Sequence, residues 1–136
     1  MLAADYKILP ESMESDELAG YFKEFLSEYS DKPRTLPALK QLYELAYRQW
    51  DTYEPLDEKV SESVQDYLMN AIDFNNHSIM DTILSISENL TLRRVFNYIV
   101  DNKNKATIPS IAALIDEAEE EYGDMSGDLF DDVDDW

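Results

Sequence analysis

Between Asp116 and Trp136 the chain places eleven carboxylates and neither a lysine nor an arginine. Carboxylates at that density have three chemical uses: ligating a hard cation, sharing a proton in acid–base catalysis, or pairing with the lysines and arginines of another molecule. The first use fails on residue order. An EF-hand needs glycine at its sixth position and glutamate at its twelfth, whereas Asp124-Met125-Ser126-Gly127-Asp128 puts glycine fourth. The second use needs two carboxyl groups held in different environments, and 30 acidic residues offer no spacing that singles out a pair. Ionic pairing remains. The segment closes on Asp128-Leu129-Phe130-Asp131-Asp132-Val133-Asp134-Asp135-Trp136, so large apolar side chains are threaded through the charge. Such a tail is drawn to a basic surface over distance and then anchored by its rings. The candidate partner-binding residues are therefore Asp116, Glu117, Glu120, Glu121, Asp124, Asp128, Phe130, Asp131, Asp132, Asp134, Asp135 and Trp136. This reading calls for no metal and no cofactor.

Nucleophilic chemistry finds little support. His77 is the single histidine, set between Asn76 and Ser78 in an expected turn, and the chain has no cysteine. A Ser-His or Cys-His relay needs a histidine beside an activated nucleophile. No G-x-S-x-G elbow, P-loop, G-x-G-x-x-G or H-E-x-x-H run accompanies this one. His77 is expected at the surface or capping a helix, and the chain is not expected to be an enzyme.

A length of 136 residues is that of one domain, and 44% hydrophobic residues are enough for a core. The formal net charge is −19, of which the last 21 residues carry −11. That balance argues against direct contact with nucleic acid or anionic lipid, which requires lysine and arginine. The first residues, Met1-Leu2-Ala3-Ala4-Asp5-Tyr6-Lys7, do not read as a signal peptide. No apolar run approaches the roughly 20 residues that span a bilayer. A soluble, cytoplasmic protein with a basic protein partner is expected.

The elements that must carry these residues are helices. Only three glycines are present, and no stretch alternates at period two. Leu18, Tyr21, Phe22, Phe25, Leu26 and Tyr29 form the apolar stripe of a first helix starting after Ser15. Thr35-Leu36-Pro37 opens a second, with Leu39, Leu42, Tyr43, Ala46 and Trp50 inward and Leu45 widening the stripe; Pro55 ends it. A third spans about Asp57 to Phe74, and Asn75-Asn76 is its expected stop. Ser78 is the expected cap of a fourth, with Asp81 three residues on, and Ser87-Glu88-Asn89 its expected end. Leu92, Val95, Phe96, Ile99 and Val100 mark a fifth, and Thr107-Ile108-Pro109 opens a sixth that fades near Tyr122-Gly123. The fold class is all-α: a single-domain bundle or short solenoid of about six helices over residues 1–123, followed by a flexible acidic aromatic tail over 124–136. The expected core includes Phe22, Phe25, Leu42, Trp50, Leu68, Ile83, Phe96 and Leu114. Tyr29, Tyr47 and Tyr53, at the edges of their stripes, are further binding candidates if exposed. Glu11, Glu14, Asp16, Glu17, Glu24 and Glu28 give a second acidic surface.

Thr35-Leu36-Pro37-Ala38-Leu39 and Thr107-Ile108-Pro109-Ser110-Ile111 share a T-[LI]-P-x-[LI] pattern about 72 residues apart. Two related helical hairpins would produce it. So would convergence on a good helix opening.

A small acidic body without a catalytic set, ending in an anionic aromatic tail, resembles the immunity proteins of bacterial toxin systems. The resemblance is one of size, acidity and helical character. It implies a protein antagonist that binds a cognate toxin, commonly a nuclease, and blocks its basic active-site or nucleic-acid-binding cleft. Two alternatives share the composition: a phage-type DNA mimic that inhibits a DNA-handling enzyme, and a helical adaptor with an acidic docking tail. A mimic would spread its charge along the body. Here more than half sits in the last 21 residues, which favours immunity or docking.

Overall fold

The computed structural model describes residues 6–122. Within them lie six α-helices and two short 3-10 turns, with no strand among the described residues. The helices are α1 (Ser15–Tyr29), α2 (Leu36–Asp51), α3 (Glu58–Met69), α4 (His77–Leu90), α5 (Arg93–Asp101) and α6 (Pro109–Tyr122). The 3-10 turns are Tyr6–Ile8 and Lys103–Lys105. Helices α2 and α4 form the central pair. On one side α1 packs against α2 and α3; on the other, α5 and α6 pack against α4 and each other; α3 reaches α5. The tail, residues 124–136, and Gly123 lie outside the described residues.

Local chemistry sets the helix starts. The Thr35 hydroxyl accepts from the Ala38 N–H at 3.3 Å, with Pro37 in the first turn. Asp57 Oδ2 accepts from the N–H groups of Lys59 (3.1 Å) and Val60 (3.2 Å), satisfying donors that no helical carbonyl can reach. The fourth helix departs from expectation. Asn76 caps it, its Oδ1 accepting from the Ile79 N–H at 3.1 Å, so Ser78 sits inside the first turn. Asparagine therefore opens α4 instead of closing α3. Helix α3 ends earlier, at Met69, where the Asn70 side-chain amide donates to the Asp66 carbonyl (3.0 Å). Ser87-Glu88-Asn89 does not interrupt α4 either. The buried Ser87 hydroxyl donates to the Ile83 carbonyl one turn back (2.9 Å), so its polarity is met within the helix. The two Thr-x-Pro starts also differ. Pro37 is the second residue of its helix and Pro109 the first, so the repeated pattern does not yield a repeated geometry.

One core runs through all six helices. Phe22, Phe25, Leu42, Leu68, Ile83 and Phe96 are fully buried as expected, and Leu114 is half-buried beside Ile111 and Ile115. Trp50 is not core: it is 56% exposed. The inward face of α2 is centred on Leu42 and Gln49, which lie within about 20° of each other at ~100° per residue; Trp50 is about 80° from Leu42. A buried glutamine concealed that centre. Tyr6, which no sequence pattern marked, is fully buried and meets Tyr21 edge-on at 5.8 Å. Its hydroxyl donates to Glu24 Oε1 at 2.7 Å. Burial, reinforced by that carboxylate, pushes the Tyr6 pKa far above its ordinary value.

Tyr67 is the exception in a well-satisfied interior. Its ring packs on Phe25 (5.2 Å, 76°) and lies under the Arg34 guanidinium (4.3 Å), yet its hydroxyl has no partner among the described residues. A buried hydroxyl without a partner destabilises, and phenylalanine keeps both ring contacts. Tyr67→Phe is therefore expected to raise stability by about 1 kcal/mol. Urea unfolding followed by circular dichroism checks this. A loss of stability would mean that the hydroxyl is bonded in solution.

Candidate functional site

Of the expected partner-binding carboxylates, four lie among the described residues. Asp116 is exposed and, together with Glu119, holds Lys103, at 3.3 and 2.9 Å. Those two hydrogen bonds raise the Lys103 pKa. Glu117, Glu120 and Glu121 are exposed on α6. Asp124, Asp128, Phe130, Asp131, Asp132, Asp134, Asp135 and Trp136 lie outside the described residues. On the α1 side, Glu11, Glu14, Asp16, Glu17 and Glu24 are exposed, while Glu28 pairs with Lys32. Hydrogen bonding to that lysine lowers the Glu28 pKa. Tyr29 stacks on Phe25 at 4.7 Å, and Tyr47 lies under the Arg48 guanidinium at 4.7 Å; both are half-buried. Tyr53 is 80% exposed. His77 is exposed as the first residue of α4.

The structure adds a site that the acidic tail had overshadowed. A cleft of ≈ 850 Å³ opens between the end of α2 with its following loop, the first half of α3, and the α4–α5 junction. Trp50 and Tyr53 stand at its mouth, ring centroids 6.3 Å apart and planes at 45°. Glu54, Glu58 and Glu62 line it, all three exposed; Arg93 and Arg94 close the far side. No lysine or arginine among the described residues lies within ion-pair distance of Glu54, Glu58 or Glu62.

Hydrogen bonds hold the cleft open. Gln49 Nε2 donates to the Glu54 carbonyl (2.8 Å) and to Ser15 Oγ (3.1 Å), tying the loop to α1. The Thr52 hydroxyl donates to the Gln49 carbonyl (2.7 Å), and the Glu54 N–H donates back to Thr52 (3.1 Å). On the opposite wall, the Arg94 N–H donates to Gln65 Oε1 (3.0 Å) and its guanidinium to Asp66 Oδ1 (2.9 Å), which joins α5 to α3. Within this frame lie the two non-glycine residues with positive φ among the described residues, Tyr53 (60°) and Thr91 (54°). Left-handed backbone disfavours residues with a Cβ, threonine strongly because it is branched there. Such strain persists where the surrounding structure imposes it, and it collects at functional sites.

A scan against protein-family models and searches of curated proteins and of solved structures find no match to the chain. Sequence reading placed Tyr53 among the candidates but assigned Trp50 to the core. The signal for the cleft was present in the dense run Trp50-Asp51-Thr52-Tyr53-Glu54-Pro55, where two aromatics fall within three residues of a helix stop.

Proposed function

We propose that this protein is a non-catalytic antagonist that binds a basic protein, in the manner of an immunity protein covering the nucleic-acid-binding cleft of a cognate toxin nuclease in the cytoplasm. The observation that carries the reading is where the charge lies. Glu117, Glu120 and Glu121 are exposed on α6, and the chain continues from there through six further acids without one base. An acidic ligand of this kind competes with phosphates for the same lysines and arginines. A second acidic face on α1 extends the surface available to a basic partner. Nothing in this reading involves a membrane, and among the described residues no helix is long and apolar enough to cross one.

A basic nuclease is expected to be encoded beside this protein, and the test is its inhibition. Growth of cells expressing that nuclease is expected to recover on co-expression, and DNA cleavage in vitro to stop near a one-to-one ratio. Cleavage that continues at its full rate with the protein in excess would refute the proposal. Deleting residues 124–136 then apportions the roles. A faster off-rate with lost protection assigns the blocking to the tail; full protection at an unchanged off-rate assigns it to the helical body.

A further inference from the structure

We infer that the Trp50–Tyr53 cleft is the folded body's docking site for an arginine side chain of the basic partner. The inference rests on the partner reading above and specifies where on the body that partner engages. Three features of the cleft meet the chemistry of a guanidinium. The first is aromatic faces: Trp50 and Tyr53, their planes diverging by 45°, are exposed at 56% and 80%, whereas the other Phe and Tyr rings whose burial is described are buried or half-buried. A planar cation stacks on such faces more favourably than an ammonium does. The second is charge. Glu58 and Glu62 stand one turn apart on α3, and with Glu54 they give the near wall three carboxylates without a cationic partner among the described residues.

The third feature is independent of the acids. Gln49 is 2% exposed and lines the cleft, and its Oε1 accepts no hydrogen bond among the described residues. Its orientation is set, because Nε2 is committed to the Glu54 carbonyl and Ser15. A buried amide oxygen left without a donor is an uncommon arrangement in a folded protein. That oxygen is sealed from solvent, so a guanidinium entering between the rings meets it only once the side chains around it part; its five N–H donors in a rigid fork then supply the oxygen and a carboxylate together. A carboxylate or phosphate ligand would meet Glu54, Glu58 and Glu62 and would offer the oxygen no proton. That selects a cation on the near wall, opposite Arg93 and Arg94.

The two tryptophans make the test direct, since one stands in the cleft and the other, Trp136, ends the chain. The full chain, labelled with ¹⁵N, is titrated with an acetylated, amidated tetra-arginine peptide at physiological salt; both indole N–H signals are followed, and the backbone amides of the cleft residues give the affinity of every variant. The Trp50 signal is expected to shift and saturate, and tetra-lysine to bind more weakly. Trp50→Ala and Tyr53→Gly are each expected to weaken tetra-arginine binding about tenfold, the size of a desolvated cation–π contact. Trp50 is exposed, and glycine accepts the left-handed backbone at position 53, so both variants are expected to keep the parent circular dichroism spectrum. Asp31→Asn, exposed in the α1–α2 loop at the opposite end of α2 from the cleft, is expected to change affinity little.

A shift of the Trp136 indole alone overturns the cleft and leaves a basic partner in place. Equal affinity of Trp50→Ala and parent also overturns it. Failure of the peptide to move either indole overturns the cleft as well; the nuclease assay above then decides the partner reading on its own. A variant that loses its helical spectrum is replaced by Glu58→Gln/Glu62→Gln. That pair is expected to weaken binding, and unchanged affinity again overturns the cleft.

Discussion

Arg48→Ala is expected to lower the free energy of unfolding by about 3–5 kcal/mol, the range for breaking a buried charged network from one side. Arg48 is 1% exposed in the last turn of α2. A charge taken out of water survives only if its donors are met. Here Nε donates to the Pro10 carbonyl (2.8 Å), one terminal nitrogen to the Leu9 carbonyl (2.8 Å), and the other to the Glu44 carbonyl (2.7 Å) and Glu44 Oε1 (3.0 Å). The guanidinium thereby fastens the segment before α1 to α2, next to the site where the Tyr6 N–H donates to Gln41 Oε1 (2.8 Å). Alanine removes all four donations and leaves a cavity under that segment. Domains of this size are stable by only about 5–15 kcal/mol, so the variant should be near the edge of folding at 37 °C. Arg48→Lys should recover only part of the loss, because one ammonium cannot span three carbonyls held in different directions. Urea unfolding gives the energies, and limited proteolysis near residue 10 reports whether the segment has detached. An Arg48→Ala protein within 1 kcal/mol of the parent would show that the clamp contributes little.

The second large effect is kinetic. Association with the basic partner is expected to slow about 10- to 100-fold as ionic strength rises from low to high, within the range of electrostatic steering. The formal charge is −19, and eleven acids crowd into the last 21 residues. Attraction over that distance works only while the Debye length is comparable to the separation, roughly 30 Å in dilute salt and 3 Å at 1 M. The off-rate should move far less, since a formed complex is held by desolvated contacts such as Trp50 and the rings of the tail. Stopped-flow mixing at several salt concentrations separates the two rates. Association that stays flat across the series would remove steering from the account. Deleting residues 124–136, which removes six of the eleven acids, should flatten the salt slope in proportion to the lost charge.

Sequence alone determined the fold class and the places where most helices begin. The α1 stripe, Leu18, Phe22 and Phe25, is buried as its spacing requires, and the helices following Thr35 and Asp57 start at those caps. The caps depend on interactions within four residues and the stripe on a spacing repeated within one helix, and a linear pattern records both. The acidity that points to a basic partner is likewise a property of composition. Tertiary structure alone decided the rest. Arg48 looks like an exposed helix residue until carbonyls 38 and 39 positions earlier meet it. Gln49 has the polarity of a surface position, yet it lies on the inward line of α2 because α1 and the Glu54 loop supply its hydrogen-bond partners. With that line shifted, Trp50 turns outward to the cleft. Burial is a relation between helices, and the partner that makes a buried polar group tolerable can come from anywhere in the chain. A periodicity averaged over one helix cannot contain it.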